Sequence, residues 1–260
     1  MRGVALSQKD DSVLFSINQM QNVSLNCASE SADAVDALGT PIATFYRAKS
    51  AEFSAENALF DMNLMATQLG TKKNVASATN KIVVPAMESF VVDSTKKYEL
   101  KHTPKVAPTE IYELNGDSTF GTKYAKATSA SATEFSIADK TVSLPTDVAE
   151  NTEMFVMYEY ETENAVEVIN SATEFPVGCK FVMEVLGCDV CDQTNLIYAY
   201  VVFPNFKLSP DFDWSVATDG THPFSGKAQQ DYCDSKKLLF NIIIPGDEQK
   251  FIIDLKGIGY

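Results

Sequence analysis

The chain has 260 residues, of which 45% are hydrophobic and 22% charged, enough for one large domain or two modest ones. Its formal net charge is −14. This charge argues against binding nucleic acid by phosphate neutralisation, because that mode of binding needs clustered Lys and Arg side chains.

The N-terminal residues do not predict a signal peptide, because Lys9, Asp10 and Asp11 interrupt the stretch before an apolar region forms. No run in the chain approaches the roughly 18 apolar residues of a membrane span. The five cysteines are an odd number, which favours reduced thiols over a disulfide framework. We therefore expect synthesis in the cytoplasm and no membrane insertion.

The first part of the chain predicts short strands. Residues 12–17 and 23–27 are β-type runs separated by polar residues. Residues 34–38 and 42–48 flank the turn signal Gly39-Thr40-Pro41, so this segment predicts a β-hairpin.

The hydrophobic periodicity predicts one long helix, over residues 54–69. Ser54 is placed to cap its N-terminus, and Gly70 to end it in a left-handed conformation. We expect the apolar face of this helix to pack against a sheet. The residues that recur at helical spacing on that face are Ala58, Leu59, Met62, Met65, Ala66 and Leu69.

Residues 81–163 differ in their sequence pattern from the segments on either side. They contain short β-type runs at regular spacing, separated by proline and glycine turns, which predicts an Ig-like or other small β-sandwich. We therefore expect this segment to be an inserted domain, and residues 1–80 and 164–260 to form the other domain. The predicted strands of the insert are residues 82–84, 90–92, 98–100, 111–114, 135–137, 141–144 and 154–160.

Strong strand signals return after residue 165. Residues 179–186 and 196–203 predict two long strands, and residues 238–244 a core strand. Residues 205–216, which include Phe212 and Trp214, alternate between apolar and polar and predict a strand with one buried face. The fold class is therefore mainly β (α+β), a sandwich or barrel with one packed helix and an inserted small β-sandwich.

The cysteine spacing gives one candidate metal motif. Cys188 and Cys191 have the spacing of half a zinc site, which needs four ligands. Cys179 or Cys233 would have to complete such a site. We favour the simpler interpretation that a hairpin loop carries two incidental thiols, and we predict no metal and no cofactor.

The chain has two histidines, His102 and His222, and neither stands beside a recognisable nucleophile turn. His222 precedes Pro223 and is predicted to be a solvent-exposed turn residue. No glycine-rich phosphate-binding loop is present. These residues therefore predict a protein that is not an enzyme.

Three alternating carboxylates stand out in the insert. Glu159, Glu161 and Glu163 project from one face if they lie in a strand. Their mutual repulsion favours a solvated acidic face. An acidic lining or a divalent-cation site is the functional alternative.

Two stretches resemble the tail tube (major tail) proteins of bacteriophages. Residues 36–70 read DALGTPIATFYRAKSAEFSAENALFDMNLMATQLG, and residues 205–244 read NFKLSPDFDWSVATDGTHPFSGKAQQDYCDSKKLLFNIII. The resemblance implies hexameric rings that stack into a tube in the virion tail, after synthesis and assembly in the host cytoplasm. It further implies that DNA passes through the tube during ejection without specific binding, and that the partners are copies of the chain and other tail or virion proteins. The residues implied in structure and assembly are Phe53, Leu59, Met62, Met65, Leu69, Phe212 and Trp214.

Two other functions remain open. One is a different virion structural protein, such as a capsid decoration or head–tail joining protein. The other is a carbohydrate-binding β-sandwich module, for which stacking surfaces would come from Tyr158, Tyr160, Tyr198 and Trp214.

Overall fold

The computed structural model describes residues 1–189, 196–213, 220–232, 235–245 and 251–253. Within these residues the backbone forms one helix, α1 (Met62–Gln68), and otherwise strands. The strands are β1 (Arg2–Ser7), β2 (Val13–Ile17), β3 (Met20–Val35), β4 (Pro41–Asn57), β5 (Asn74–Val75), β6 (Ile82–Val91), β7 (Lys97–Glu99), β8 (Glu110–Leu114), β9 (Phe120–Lys126), β10 (Glu134–Ala138), β11 (Thr141–Ser143), β12 (Glu153–Thr162), β13 (Val166–Glu167), β14 (Gly178–Asp189), β15 (Leu196–Leu208), β16 (His222–Ala228), β17 (Asn241–Ile243) and β18 (Phe251–Ile253).

The chain folds into two compact units. Unit 1 comprises Met1–Lys73 and Val168–Tyr260, and unit 2 comprises Asn74–Glu167. Unit 2 therefore interrupts unit 1 in the sequence. That each unit folds as an independent domain stays a prediction.

The sheet of unit 1 is curled. Its strand order is β2-β1-β14-β15-β16-β4-β3, with β17 also beside β15 and β18 beside β14. β2 and β3 lie at opposite ends of this order, although only Asn18 and Gln19 separate them in sequence. Because so short a connection spans only about 10 Å, the two ends of the sheet must approach each other there.

Phenylalanines from five strands fill the core of unit 1. The ring of Phe53 lies 5.4 Å from that of Phe181 and 5.8 Å from that of Phe224, measured between centroids. Phe15 on β2 also contacts Phe224 on β16 at 6.4 Å, although three strands lie between them in the strand order. This contact is possible only because the sheet curls. The predicted mainly β fold class is confirmed.

The predicted start of the helix is wrong. Residues 54–57 belong to β4, in which Phe53, Ala55 and Asn57 are buried at alternate positions. β4 pairs with β3 on one side and β16 on the other, so sheet hydrogen bonding overrides the helical periodicity. The N-cap is Asp61 rather than Ser54, since a carboxylate oxygen of Asp61 accepts from two backbone N–H groups of the first turn.

The buried side of the helix includes Ala66 of the predicted face but otherwise differs from that face. Leu64, which the predicted face omits, is fully buried in the phenylalanine core. Leu59 precedes the helix and is 60% exposed, while Met62, Met65 and Leu69 are only half-buried. The shorter helix starts after Leu59, which removes that residue from the helical face.

The predicted end of the helix is confirmed. Gly70 has a φ of +74° and its N–H bonds to the carbonyl of Thr67, while the N–H of Thr71 bonds to that of Ala66. A Cβ at Gly70 would lie 2.3 Å from the carbonyl carbon of Phe175. Both the backbone conformation and the close approach therefore require glycine.

The strand predicted over residues 205–216 is too long. β15 ends at Leu208, and residues 209–213 lie outside any strand. Pro210 cannot donate a ladder hydrogen bond, which explains the end of the strand. Trp214 lies outside the described residues.

Unit 2 has its own sheet, in the order β6-β12-β8-β9-β10-β11-β7, and its own buried core. The strands predicted over residues 82–84 and 90–92 are parts of one strand, β6, which continues through Pro85 and ends at Val91. Proline is tolerated there because β6 lies at an end of the strand order and pairs only with β12. β9 was not predicted, since it is largely exposed and carries few apolar residues.

A buried carboxylate links three parts of unit 2. Glu88 is 4% exposed and accepts hydrogen bonds from the hydroxyls of Tyr98, at 2.8 Å, and Tyr158. The backbone N–H of Lys101 donates to it at 3.1 Å. Burial acts to raise the pKa of Glu88, but these donors together lower it. Burial and the bonds to Glu88 raise the pKa of Tyr98 and that of Tyr158 to about 12.

We expect Glu88→Gln to destabilise unit 2 by about 2 kcal/mol at pH 7, because charge-assisted hydrogen bonds are lost. Because folding lowers the pKa of Glu88, this group stabilises the fold at pH values above its unfolded pKa, and the contribution is lost at acid pH. Because folding raises the pKa values of Tyr98 and Tyr158, their contribution is lost between pH 10 and about 12. Urea unfolding of the full chain at pH 4, 7 and 11 measures the free energy of unfolding of the wild type and of the variant. The exposed Glu153→Gln is the matched control, and equal stability of the two variants at pH 7 would contradict the prediction.

Candidate assembly surfaces

The outer parts of β3 and β4 form a ribbon without cover. Every residue from 26 to 50 is exposed, whereas the rest of β4, from Ala51 to Asn57, packs into unit 1. We call residues 26–50 the arm. The two strands of the arm pair with each other, from Ala28 opposite Ser50 to Val35 opposite Pro41.

The tip of the arm is a turn close to the predicted position, but it spans residues 36–40, so residues 36–38 are not in the predicted strand. A carboxylate oxygen of Asp36 accepts from the N–H groups of Leu38, at 2.8 Å, and Thr40, at 2.9 Å. Gly39 has a φ of +83°, which glycine adopts without strain. These local bonds fix the tip without help from the rest of the protein.

The base of the arm contains a bulge. The register shifts between Ala28 and Glu30, and Ala48 on the other strand has a φ of +52°. A bulge of this kind bends the ribbon and increases its twist. The bulge lies within the exposed arm, close to its junction with unit 1.

The arm presents large apolar side chains to solvent. Leu38 is 91% exposed, Tyr46 72% and Phe45 65%, and Val35 and Ile42 are also exposed. A two-stranded hairpin alone is only marginally stable in water. Exposed apolar clusters of this kind mark sites of protein–protein contact. The arm therefore has the character of an assembly surface.

The residues implied in structure and assembly by the resemblance differ in exposure. Phe53 is buried in the core, so its contribution is to the fold. Leu59 is exposed, Phe212 is half-buried, and Trp214 lies outside the described residues. The arm was missed as an assembly surface, although residues 42–46 combine strand propensity with apolar side chains on both faces, which a one-sided sheet does not require.

The predicted acidic surface is partly neutralised. Glu159 and Glu161 are exposed on β12, and Glu163 follows directly after it. Lys105 Nζ lies 2.9 Å from Glu161 and lowers the pKa of that carboxyl, and Lys81 Nζ lies 3.3 Å from Glu163. Such exposed pairs contribute little to stability but reduce repulsion within the row.

The candidate zinc ligands are not assembled in the part of the chain that the structure describes. Cys188 is half-buried on β14, whereas Cys191 and Cys233 lie outside the described residues. Cys179 is buried, and burial raises the pKa of its thiol to about 12, which disfavours a thiolate ligand. Among the described residues, no group of three or more His, Cys, Asp or Glu side chains is arranged to hold a metal ion.

His222 is not the exposed turn residue that the sequence predicts. It is fully buried at the start of β16, opposite Asn57 of β4. Pairing with β4 draws this segment into the sheet despite Pro223. His102 is exposed, and its ring stacks on that of Tyr160 at 3.8 Å.

The aromatic residues considered for carbohydrate stacking are divided between the two units, and Trp214 lies outside the described residues. Tyr158 is buried, and Tyr160 is half-buried beneath His102. Tyr198 is 50% exposed but belongs to unit 1, whereas the other two belong to unit 2.

Unit 1 thus combines a curled β sheet with an exposed apolar ribbon, which places the protein in the β-rich class. The chain belongs to the YomU/Tube protein family, whose family model matches residues 3–237. The resemblance to phage tail tube proteins is thereby confirmed over nearly the whole chain, and the chain is a structural component of the virion tail that assembles with copies of itself and other virion proteins. Comparison with curated proteins gives no match. Among the described residues, no helix is long and apolar enough to cross a membrane.

Proposed function

We propose that the chain assembles into stacked hexameric rings that form the tail tube, the channel through which DNA leaves the phage during ejection. The observation that carries this proposal is the exposed apolar arm of a chain that belongs to the YomU/Tube family. The sequence resemblance supports six copies in a ring. The protein acts by assembly, without catalysis and without a cofactor.

The sheet edges of unit 1 support lateral association. β3 stands at an end of the strand order and has no second strand partner among the described residues. Open edges of this kind pair readily with another chain. Pairing of neighbouring subunits would close the ring into a continuous barrel around a channel.

The arm supports the stacking of rings. It presents Phe45, Tyr46 and Leu38 on a ribbon that no other described part of the chain covers. A surface that contacts a different surface on the next copy produces a head-to-tail contact, and repetition of that contact builds a tube. We assign the arm to this contact.

The charge of the chain suits passage of DNA. A formal net charge of −14 repels phosphate and opposes tight binding of DNA to the wall. An acidic surface remains a proposal for Glu159, Glu161 and Glu163. Lys81 and Lys105 partly neutralise its charge. We further propose that residues 81–163 form an inserted domain that decorates the tube.

Mass measurement of the purified protein tests the ring proposal. We expect a species of six times the 28.5 kDa chain mass, and larger multiples as rings stack with rising concentration. A monomer at every concentration would contradict the proposal. Rings that never stack would instead favour a decoration or head–tail joining protein.

A further inference from the structure

His222 is a buried ionisable group that the proposed assembly does not use. Its exposure is 0%, and it lies in unit 1 between two aromatic rings. The ring of Phe60 stacks on it with centroids 5.2 Å apart and planes 17° apart, and that of Phe212 lies at 6.0 Å. The imidazole is thus held in a largely apolar site.

The hydrogen bonds of the imidazole determine its protonation state. The backbone N–H of Asp61 lies 3.4 Å from Nδ1, and since an N–H can only donate, Nδ1 carries no proton. Gln68 Nε2 donates to the carbonyl of Pro223 at 3.2 Å, which turns Gln68 Oε1 towards the imidazole. His222 Nε2 lies 2.8 Å from that oxygen and therefore carries the proton. The network is complete only with a neutral histidine.

The same network holds both ends of α1. Asp61 is the N-cap of the helix, and Gln68 is its last residue. Leu64, between them, is fully buried in the phenylalanine core. A single imidazole on β16 therefore ties the helix to the sheet across its whole length.

We propose that His222 is an acid-sensitive clasp for α1. A proton bound at Nδ1 removes the acceptor for the N–H of Asp61 and places two donors against each other. Burial also keeps water away from the charged ring, which raises the free energy of the protonated form. Both effects favour release of the helix from the sheet, with exposure of Leu64.

The surrounding charges do not remove this effect. Burial lowers the pKa of His222, and the carboxylate of Asp61 acts in the opposite direction with the smaller influence. On β4, the carboxylate of Glu56 is engaged by Asn22 and Thr221. Asp211 and Asp213 line the neighbouring cleft beside Phe212.

The direction of the pH dependence follows from the lowered pKa. The unfolded or released segment binds a proton more readily than the clasped form, so the clasp is at full strength above the unfolded pKa of about 6.5. Its strength falls as the pH drops below that value. Ordinary Asp and Glu side chains do not titrate until lower pH, which leaves the interval from pH 7.5 to 5.5 to histidine.

Hydrogen exchange of the α1 amides tests the clasp. Protection factors, corrected for the intrinsic pH dependence of exchange, should fall about tenfold between pH 7.5 and 5.5 in the wild type. His222→Gln should abolish this fall, and His102→Gln should retain it, since these are the two histidines of the chain. Equal protection at both pH values in the wild type, or a tenfold fall that survives in His222→Gln, would overturn the proposal.

Titration of the wild type gives a second measurement if His222→Gln does not fold. The imidazole resonance of His222 should titrate at lower pH than an ordinary histidine, because burial lowers its pKa. A His222 resonance that titrates at or above pH 6.5 would overturn the proposal. Both experiments measure properties of the single subunit, so their outcome does not depend on whether rings and tubes form.

Discussion

Replacing Phe45 and Tyr46 together by serine is expected to abolish tube assembly and to leave the subunit folded. Both side chains are more than half exposed in the arm, so their loss should change the stability of the subunit by about 0.5 kcal/mol or less. Truncation of an aromatic anchor in an interface costs about 2 kcal/mol or more. Each subunit contributes an arm, so the loss repeats at every contact along a tube.

Sedimentation measures the assembly of this double variant, and thermal unfolding measures its fold. Phe120→Ser is a matched control, because Phe120 is an aromatic residue of similar exposure, 56%, that lies outside the arm. We expect the control to assemble as the wild type does. Normal tubes from the double variant would show that the arm is not the stacking surface.

Phe53→Ala is expected to have the largest effect on the stability of unit 1. Phe53 is 1% exposed and its ring contacts four other phenylalanine rings, so truncation leaves a cavity among them. Substitutions of this kind cost about 3–5 kcal/mol, a large part of the stability of an ordinary domain.

Urea unfolding measures this change, and Phe45→Ala is the matched control. Phe45 and Phe53 are the same residue type on the same strand, but Phe45 is 65% exposed. We expect Phe45→Ala to change stability by less than about 0.5 kcal/mol. A loss of less than about 1 kcal/mol in Phe53→Ala would contradict the assignment of Phe53 to the centre of the core.

Local signals in the sequence were sufficient to predict those parts of the fold that depend on the chemistry of a single residue. The turn at the tip of the arm was located by Gly39, whose positive φ suits glycine, although the role of Asp36 in that turn was not predicted. The end of α1 depends on Gly70 in the same way. The mainly β class followed from the many short runs of strand-forming residues.

Sheet pairing explains the errors. Ser54 to Asn57 fit a helix by spacing, but β3 and β16 pair with β4 on both sides and hold them in a strand. His222 precedes a proline and resembles a turn residue, yet the same pairing buries it. Partners distant in sequence decided both outcomes.

The arm is the part of the candidate site that sequence patterns conceal. Apolar residues such as Phe45 and Ile42 normally indicate a core, and in an isolated chain they lie in solvent. Only the absence of a covering element among the described residues of the folded subunit distinguishes an assembly surface from a core strand.

Electron microscopy of the purified wild-type protein tests the proposed tail tube. We expect tubes of uniform bore, with end-on views that show sixfold rings around an open channel. Single subunits at high concentration, or aggregates without a channel, would contradict it.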